Sequence, residues 1–148
     1  MKRILFICSG NTCRSPMAEI ILKAKIKNAG IKGYVVSSAG LIANNGDKIS
    51  QNSRLALKSL GYKVPTFKSK QLDISLLFKT DYIICMSSEH KSYLSNFQGV
   101  VTIVEITGEG NISDPYGGDL NEYIKASHKI EDACNIIIEK ILEEKGEM

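Results

Sequence analysis

Four short apolar runs, separated by longer segments of mixed polarity, set the pattern of this chain. They cover about residues 3–7, 34–38, 82–86 and 100–105 and have the length of buried β-strands. Segments with apolar residues at helical spacing follow them. Strands that alternate with helices predict an α/β fold, in which a four-stranded parallel sheet is covered by helices on both faces.

Five helices are predicted between and after these runs. We expect them over about 16–29, 50–60, 72–78, 88–97 and from 119 to near the end of the chain. Ser15 is expected to cap the first helix, with Pro16 at its first position, and Gly30 is expected to end it. Asp119 is expected to cap the last helix, since Glu122 follows three residues later in a capping-box arrangement.

Length, composition and charge describe an ordinary globular protein and narrow the choice of partners. At 148 residues the chain is long enough to build its own core, and we expect a single domain over 1–148. A net charge of +3, without any run of five like charges, argues against nucleic-acid binding. No apolar segment reaches the length of a membrane span and no signal-peptide pattern opens the chain, so we expect a cytoplasmic protein without membrane contact.

The four cysteines and two histidines predict reduced thiols and no metal. The cysteines have no regular spacing, which argues against a disulfide framework and fits a reducing compartment. His90 and His128 lack metal-ligand spacing to any cysteine, and both are expected on the surface or at helix ends. Cys85 and Cys134, on a predicted strand and on an apolar helix face, are expected in the core. We therefore expect neither a metal nor another cofactor.

The segment from Cys8 to Ser15 connects the first strand to the first helix and carries the strongest chemical signal. Gly10 and Asn11 tolerate left-handed backbone, so successive N–H groups of the loop can converge on one centre. A nest of N–H groups at a helix N-terminus is a ready anion site. Arg14 adds a planar fork of donors that matches two phosphate oxygens. We therefore predict that this loop binds phosphate or another oxyanion.

Cys8, at the carboxyl end of the first strand, is the predicted nucleophile. The positive surroundings supplied by Arg14 are expected to lower the pKa of the thiol and to keep the side chain as a thiolate. Ser15 can hydrogen-bond that sulfur and stabilise it as a leaving group, with a bound phosphoryl group held for in-line attack. The alternative is a buried structural cysteine beside a turn. The Cys-x5-Arg-Ser spacing between a strand and a helix favours the catalytic interpretation.

An acid for the same reaction is predicted in the glycine-rich segment after the fourth strand. Asp114 precedes Pro115, which biases the aspartate toward extended backbone and stiffens the position of its carboxylate. It can protonate the leaving group and afterwards activate water, while Tyr116 can form one wall of a substrate slot. An ordinary Asp-Pro turn is the alternative. Since the segment follows the last strand, Asp114 is expected near the same edge of the sheet as Cys8.

Two motifs in the sequence resemble the signatures of the low-molecular-weight protein-tyrosine-phosphatase family. They are Cys8-Ser9-Gly10-Asn11-Thr12-Cys13-Arg14-Ser15-Pro16-Met17-Ala18-Glu19 and Asp114-Pro115, and the similarity covers essentially the whole chain. The resemblance implies a flavodoxin-like three-layer sandwich, a phosphorylated protein as substrate and no metal. It also implies a phosphocysteine intermediate on Cys8, with the phosphate held by Arg14 and by the loop, and Asp114 as the acid.

The resemblance further implies which residues support the loop. Asn11, Ser15 and Ser38 are expected to form a hydrogen-bond network that keeps it in shape. The phosphate-binding set is expected to be Ser9, Gly10, Asn11, Thr12, Cys13 and Ser15, with Tyr116 beside the substrate.

Departures from the tyrosine-specific pattern leave the phosphorylated substrate residue open. Thr12 stands where tyrosine-specific members usually carry a larger aliphatic residue, and it resembles the protein-arginine-phosphatase branch. Its hydroxyl could hold a polar leaving group or water, or Thr12 could be loop filler. Residues 86–91 lack the Met-Asp pattern of the tyrosine branch, and Tyr116 is a single aromatic where two are common. The family's mid-chain histidine is replaced in this chain, at about Phe67. Phosphotyrosine and phosphoarginine both remain candidates.

Two interpretations of Cys13 and two alternative functions of the loop also have to be considered. Cys13 either forms a reversible disulfide with Cys8 or is a small buried loop residue. A thioredoxin-coupled arsenate reductase shares this loop and fold but needs two relay cysteines after the third strand, where Cys85 alone is near. A non-catalytic phosphate-binding module would not require Cys8, Arg14 and Asp114 together. A cysteine-dependent protein phosphatase is therefore the predicted function.

Overall fold

The sheet of the computed structural model, which describes residues 1–97, 99–108 and 112–146, has four parallel strands. The strands are β1 (Lys2–Cys8), β2 (Tyr34–Gly40), β3 (Tyr82–Cys85) and β4 (Val100–Thr102). Their order across the sheet is β2-β1-β3-β4, which is the flavodoxin-like order with one strand fewer. The predicted four-stranded parallel sheet and flavodoxin-like architecture are confirmed.

Helices cover both faces of the sheet and complete three layers. The described residues form α1 (Arg14–Asn28), α2 (Gln51–Ser59), α3 (Ile74–Phe78), α4 (Ser88–Ser92), α5 (Ile103–Thr107) and α6 (Leu120–Glu144). Side chains alternate along β1, so Ile4 and Phe6 enter the core that α1 and α6 share. Leu5 and Ile7 enter the core on the opposite face, together with Leu77 of α3. The carboxyl end of β1 is therefore held between two packed layers.

The run predicted as a fourth strand over 100–105 is strand only in its first half. β4 ends at Thr102, whose side chain accepts a hydrogen bond from the Glu105 N–H at 3.1 Å and so caps α5. Ile103 is buried in this short helix instead of in a strand. The cap decides the conformation because the apolar composition of this run fits a strand or a buried helix equally well.

The start of the first helix also differs from the prediction. α1 begins at Arg14, and Cys13 takes the N-cap position without a side-chain capping bond. Ser15 lies inside the first turn, so the prediction that Ser15 caps the helix is wrong. Its hydroxyl contacts Cys8 Sγ instead. Because α1 starts earlier than predicted, Arg14 and Ser15 lie in the first turn of the helix, and their side chains face the loop that precedes it.

Other helix ends follow the prediction in part. α4 ends at Ser92, earlier than the predicted end of the 88–97 segment. Asp119 caps α6 by accepting a hydrogen bond from the Glu122 N–H at 3.1 Å, as predicted. Residues 109–111 of the predicted glycine-rich loop lie outside the described residues. Among the described helices, α6 is the longest with 25 residues, and none combines the length and apolarity that a membrane span needs.

Candidate active site

The carbonyl groups of the loop between β1 and α1 point away from the centre of the loop. Four of them accept hydrogen bonds from the segments around it at 2.5–3.0 Å. The Cys8 and Ser9 carbonyls accept from the N–H groups of Leu41 and Ile42, respectively. The Asn11 carbonyl accepts from the Ser69 hydroxyl, and the Thr12 carbonyl accepts from the Ser50 N–H. Because the C=O and the next N–H of a trans peptide point in opposite directions, the following N–H groups face the centre. This geometry suits an oxyanion.

Asn11 braces the loop from behind. It has left-handed backbone with φ of 56°, and the residue is fully buried. Its Oδ1 accepts a hydrogen bond from the Lys70 N–H at 2.9 Å. Its Nδ2 donates to the hydroxyls of Ser15 and Ser38 at 2.8 and 2.9 Å. Gly10, the other residue expected to favour left-handed backbone, does not adopt it.

The hydrogen bonds around Ser15 direct a donor at the Cys8 sulfur. Because Asn11 donates to Ser15 Oγ, the Ser15 hydroxyl hydrogen is free to donate to Cys8 Sγ, 2.8 Å away. Ser38 Oγ, the second acceptor of the Asn11 amide, donates in turn to Glu19 Oε1 at 2.7 Å. The network that the resemblance implies is thus present among these side chains. It extends to Glu19, a residue of the quoted motif that was not expected to belong to the network.

Burial and hydrogen bonding act in opposite directions on the Cys8 thiol. Burial is the larger effect and raises the pKa of Cys8 above the ordinary cysteine value. The Ser15 hydroxyl and N–H, the Asn11 N–H and the Arg14 charge lower it. The expectation of a lowered pKa counted only the positive surroundings, and it is wrong because Cys8 is 3% exposed. The groups that lower the pKa all belong to the loop, so they stabilise the thiolate once it forms.

Arg14 is buried and is held by three oxygen or nitrogen acceptors. Its Nη1 donates to the Ile112 carbonyl at 3.0 Å, and its Nη2 lies 3.4 Å from both His90 Nε2 and Asp114 Oδ2. The side chain of Arg14 is 6% exposed, whereas that of Asp114 is 47% exposed. The cation therefore lies at the base of the site and the carboxylate at its mouth.

His90 is the member of this site that the sequence pattern did not indicate. It lies in the last turn of α4, as one of the two predicted alternatives had it, but it is 2% exposed, so the other alternative, a surface position, is wrong. Its Nε2 lies 3.1 Å from Ser9 Oγ, and its Nδ1 lies 3.0 Å from Ser87 Oγ. Burial, with a smaller contribution from the Arg14 charge, lowers the pKa of His90 to about 4. The imidazole is therefore neutral at pH 7.

A cleft of about 250 Å³ opens over the loop and brings the predicted catalytic residues together. Its lining consists of Cys8, Ser9, Gly10, Thr12, Cys13, Arg14, Ile42, Asp114 and Tyr116. Ile42 and Tyr116 are 85% and 80% exposed and form its outer walls. Asp114 Oδ1 accepts a hydrogen bond from the Tyr116 N–H at 3.1 Å, which fixes the carboxylate relative to that wall. The Cys8 thiol, the Arg14 cation and the Asp114 carboxylate thus face one space.

Thr12 and Cys13 border this cleft on the side of α2 and α6. Thr12 is half-buried, whereas Cys13 is buried. The Cys13 sulfur lies 3.6 Å from Tyr123 Oη and 3.7 Å from Ser50 Oγ. Cys13 therefore makes contacts of its own with the residue that caps α2 and with α6, and all four cysteines of the chain are free thiols.

The remaining cysteines give no support to a thiol relay or a metal site. Cys85 and Cys134 are buried in the core, as predicted, and burial raises the pKa of Cys85 to about 12. Cys85, the cysteine nearest the place where an arsenate reductase needs its relay pair, is inaccessible to a partner thiol. Within the part of the chain that the structure describes, no three His, Cys, Asp or Glu side chains are grouped as a metal ion requires.

Comparison with known proteins finds a phosphatase family and relatives with two named specificities. The family model described as low molecular weight phosphotyrosine protein phosphatase matches residues 3–147. A protein-arginine-phosphatase of Geobacillus stearothermophilus is 32% identical and covers 97% of this chain and 98% of its own. A solved low molecular weight protein tyrosine phosphatase from T. tengcongensis is 35% identical, with a TM-score of 0.88 over 95% of this chain and 99% of that one. A solved YwlE arginine phosphatase, a cysteine-to-serine mutant with a phosphorylated active-site serine, is 30% identical, with a TM-score of 0.86 over 95% of both chains.

These matches extend over nearly all of the chain and confirm the resemblance that the two motifs suggested. The family model begins within β1 and continues through α6, so it includes every element that borders the cleft. The relatives are named for two related activities on phosphorylated proteins. This chain belongs to the low molecular weight phosphotyrosine protein phosphatase family, and it is an enzyme of that class.

Proposed function

We propose that this protein is a cysteine-dependent protein phosphatase that hydrolyses phosphoarginine in proteins through a phosphocysteine intermediate on Cys8. The observation that carries the proposal is the grouping of Cys8, Arg14 and Asp114 around one cleft. A nucleophile, a cation for the phosphoryl oxygens and an acid for the leaving group are the groups that displacement at phosphorus uses. A phosphorylated protein is the proposed substrate, and inorganic phosphate is the product released last.

In the first step, the Cys8 thiolate attacks phosphorus, and the bond from phosphorus to the leaving nitrogen breaks. The inward N–H groups of the loop and the Arg14 guanidinium hold the phosphoryl oxygens in line with the sulfur. The electron pair of the broken bond stays on the leaving nitrogen, which takes a proton from Asp114. The arginine side chain leaves without a negative charge, and S-phosphocysteine remains.

In the second step, water replaces the sulfur on phosphorus. The Asp114 carboxylate takes a proton from the water as its oxygen attacks, and the S–P bond breaks with its electron pair returning to sulfur. The Ser15 hydroxyl, 2.8 Å from Cys8 Sγ, stabilises the thiolate as it leaves. The relative that carries phosphate on an active-site serine in place of cysteine supports phosphoryl transfer to this position.

Thr12 is the residue that favours phosphoarginine over phosphotyrosine. Its half-buried side chain lines the cleft with Cys8. A guanidine leaving group offers several N–H donors to the Thr12 hydroxyl, whereas a phenyl ring offers an apolar edge. Covering the hydroxyl with an apolar ring would cost the hydrogen bonds it makes in water. The similarity to a named protein-arginine-phosphatase over 97% of the chain supports the same choice.

Phosphotyrosine is the second candidate, and Tyr116 is the observation that favours it. The ring is 80% exposed at the mouth of the cleft, where it can pack against the phenyl ring of a phosphotyrosine side chain. The similarity to a named tyrosine phosphatase of known structure supports this candidate.

The deciding experiment is kcat/KM on matched phosphoarginine and phosphotyrosine peptides. We expect the phosphoarginine peptide to be hydrolysed with the higher kcat/KM and the Cys8→Ser protein to be inactive on both while still binding inorganic phosphate. Activity on neither peptide, with Cys8→Ser no different from the wild type in phosphate binding, would contradict the phosphatase proposal and favour a phosphate-binding module. Arsenate reduction in the presence of thioredoxin would favour the reductase.

We further propose that the enzyme acts in the cytoplasm. Its four cysteines are free thiols, and one of them must be reduced for the chemistry proposed above. A reducing compartment maintains such thiols.

A further inference from the structure

His90 joins the two ends of the phosphate loop from behind. Its Nε2 lies 3.1 Å from the hydroxyl of Ser9, the residue after the nucleophile, and 3.4 Å from Nη2 of Arg14, the first residue of α1. Its Nδ1 lies 3.0 Å from Ser87 Oγ. Ser87 takes the N-cap position of α4, yet its side chain makes no capping hydrogen bond. The serine hydroxyl contacts the histidine in place of the helix backbone.

The chemistry of these partners decides which ring nitrogen carries the proton. A guanidinium has only donors, so the Nε2 that faces Arg14 has to present its lone pair. The proton of the neutral ring then lies on Nδ1 and is donated to Ser87 Oγ. The hydroxyl of Ser9 is left to donate to Nε2. Nε2 of His90 therefore accepts from Ser9 at one end of the loop and from Arg14 at the other.

A neutral acceptor holds Arg14 without cancelling its charge. The Ile112 carbonyl and the His90 ring both accept from the guanidinium, and neither carries a negative charge. The carboxylate of Asp114 also lies 3.4 Å from Nη2, but its side chain is 47% exposed, so water screens its attraction to the cation. The two buried contacts leave the positive charge of Arg14 available to a bound oxyanion. We propose that His90, as the Nδ1–H tautomer set by Ser87, is a positioning residue that holds Arg14 and Ser9 in the geometry that binds a phosphoryl group. This inference deepens the proposed function and rests on it.

The charged groups that face His90 come from three parts of the chain. Arg14 of α1 opposes protonation of the ring, whereas Glu89 of α4 and Asp114 of the segment after α5 favour it. A proton on Nε2 would aim an N–H group at the guanidinium and end the acceptance from Arg14 and Ser9. Because burial and Arg14 prevail, the pKa of His90 is lowered to about 4, and the arrangement holds across the neutral range.

Binding of inorganic phosphate, measured by isothermal titration calorimetry, tests this role without any turnover. His90→Leu removes the acceptor from a buried position, and we expect the phosphate Kd to rise about tenfold. His90→Gln can place an amide oxygen where Nε2 lies, and we expect its Kd to stay within about threefold of the wild-type value. His128→Leu replaces the exposed histidine of α6 and serves as the matched control, with an unchanged Kd.

Nitrogen-15 NMR of the imidazole reports which ring nitrogen of His90 carries the proton. If His90 only filled space in the core, Ser87 would not determine this tautomer. In the wild-type protein at pH 7, we expect Nδ1 of His90 to be protonated and Nε2 to be unprotonated. In Ser87→Ala, we expect a weaker preference for the Nδ1–H tautomer and a higher phosphate Kd. A folded His90→Leu protein with the wild-type Kd overturns the proposal, and so does a His90→Gln protein as weak as His90→Leu.

Should His90→Leu not fold, the NMR and Ser87→Ala results decide the matter. An Nε2–H tautomer at pH 7, or a Ser87→Ala protein with the wild-type tautomer and Kd, then overturns the proposal. Phosphate binding and the tautomer are measured without substrate, so a failure of the proposed phosphatase activity is distinguishable from a failure of this inference.

Discussion

The carboxylate of Asp114 faces the guanidinium of Arg14 across the cleft, with Oδ2 3.4 Å from Nη2. The arginine is buried, while the aspartate is half-exposed and is held at its other oxygen by the Tyr116 N–H. A carboxyl group in this place lies beside the cation proposed to hold the phosphoryl oxygens. An acid is useful beside the atom that leaves phosphorus, so this position fits the role proposed for Asp114.

Asp114→Asn is expected to lower kcat/KM on the preferred phosphopeptide by about 10²- to 10⁴-fold, the range for loss of a general acid or base. The amide keeps the shape of the side chain but cannot protonate the leaving group. With p-nitrophenyl phosphate, whose leaving group is a weak base, we expect a smaller loss. Steady-state kinetics on the two substrates measures the difference.

Asp119→Asn is the matched control for that substitution, because asparagine caps a helix about as well as aspartate does. We expect it to leave both rates unchanged. Equal losses of kcat/KM on both substrates in Asp114→Asn would contradict a role of Asp114 in protonating the leaving group, because kcat/KM covers the steps only up to formation of phosphocysteine.

Thr12→Ile is expected to shift the substrate preference from phosphoarginine toward phosphotyrosine, by about tenfold or more in the ratio of the two kcat/KM values. The isoleucine removes the hydroxyl and adds apolar volume at the lining of the cleft. Thr12→Val separates these effects, since valine has the shape of threonine without the hydroxyl. A ratio that stays constant in both variants would show that Thr12 does not discriminate between the substrates.

Ser15→Ala is expected to slow the alkylation of Cys8 by iodoacetamide at neutral pH and to lower kcat, each by about tenfold. The Ser15 hydroxyl lowers the pKa of Cys8, so its loss leaves burial less opposed and reduces the thiolate population. The rate of alkylation as a function of pH measures this change. Ser37→Ala, which alters a serine of β2 outside the network, should alkylate at the wild-type rate, and a wild-type profile in Ser15→Ala would refute the argument.

The residues proposed to be catalytic could be grouped from the sequence because their positions in the fold follow from local rules. Cys8 and Arg14 lie six residues apart in one strand–loop–helix unit. Asp114 follows the last strand, so the parallel topology brings it to the same edge of the sheet. No side-chain contact had to be known to group these three residues.

The features that could not be predicted depend on contacts between distant parts of the chain. His90 is buried by the loop and by Arg14, which lie 81 and 76 positions earlier, and a five-residue helix carries no periodic signal. The pKa of Cys8 depends most on burial by the rest of the fold. The residues next to Cys8 in the sequence do not show how deeply it is buried. The division of 100–105 into strand and helix depends on a single capping bond from Thr102.

Gly40→Ala is expected to distort the phosphate loop. Gly40 pairs with the end of β1, and a Cβ there would lie 2.5 Å from the Ser9 carbonyl oxygen and 3.0 Å from the Asn11 nitrogen. Both atoms belong to backbone that is fixed by hydrogen bonds, so the loop has to shift. We expect the free energy of unfolding to fall by about 1–3 kcal/mol, together with a fall in kcat/KM.

Gly10→Ala provides the contrast for stability. A Cβ on Gly10 would meet only the Thr12 hydroxyl oxygen, at an ordinary contact distance of 3.8 Å. Urea unfolding of the two variants is the measurement, and we expect Gly10→Ala to change the free energy of unfolding by less than about 1 kcal/mol. A Gly40→Ala protein as stable as the wild type would show that the loop adapts without cost.

The lowered pKa of His90 predicts how stability depends on pH. Above about pH 6.5, the ordinary value for histidine, the ring is neutral in both the folded and the unfolded chain and adds no pH dependence. Between about 6.5 and 4 the unfolded chain binds a proton that the folded chain does not, so the free energy of unfolding falls as the pH falls. The total loss attributable to this ring is about 3 kcal/mol, at 1.36 kcal/mol per unit of pKa difference.

Replacing His90 with glutamine is expected to remove that part of the pH dependence, because the amide does not titrate. Urea unfolding at pH 7, 6, 5 and 4 should give a difference between wild type and His90→Gln that narrows steadily as the pH falls. His128→Gln, at an exposed position, should follow the wild-type curve. Parallel curves for the wild type and His90→Gln would mean that the folded protein accepts a proton on His90 as readily as the unfolded chain does. The neutral acceptor that holds Arg14 would then be lost in mildly acidic solution, and phosphate binding would weaken over the same pH range.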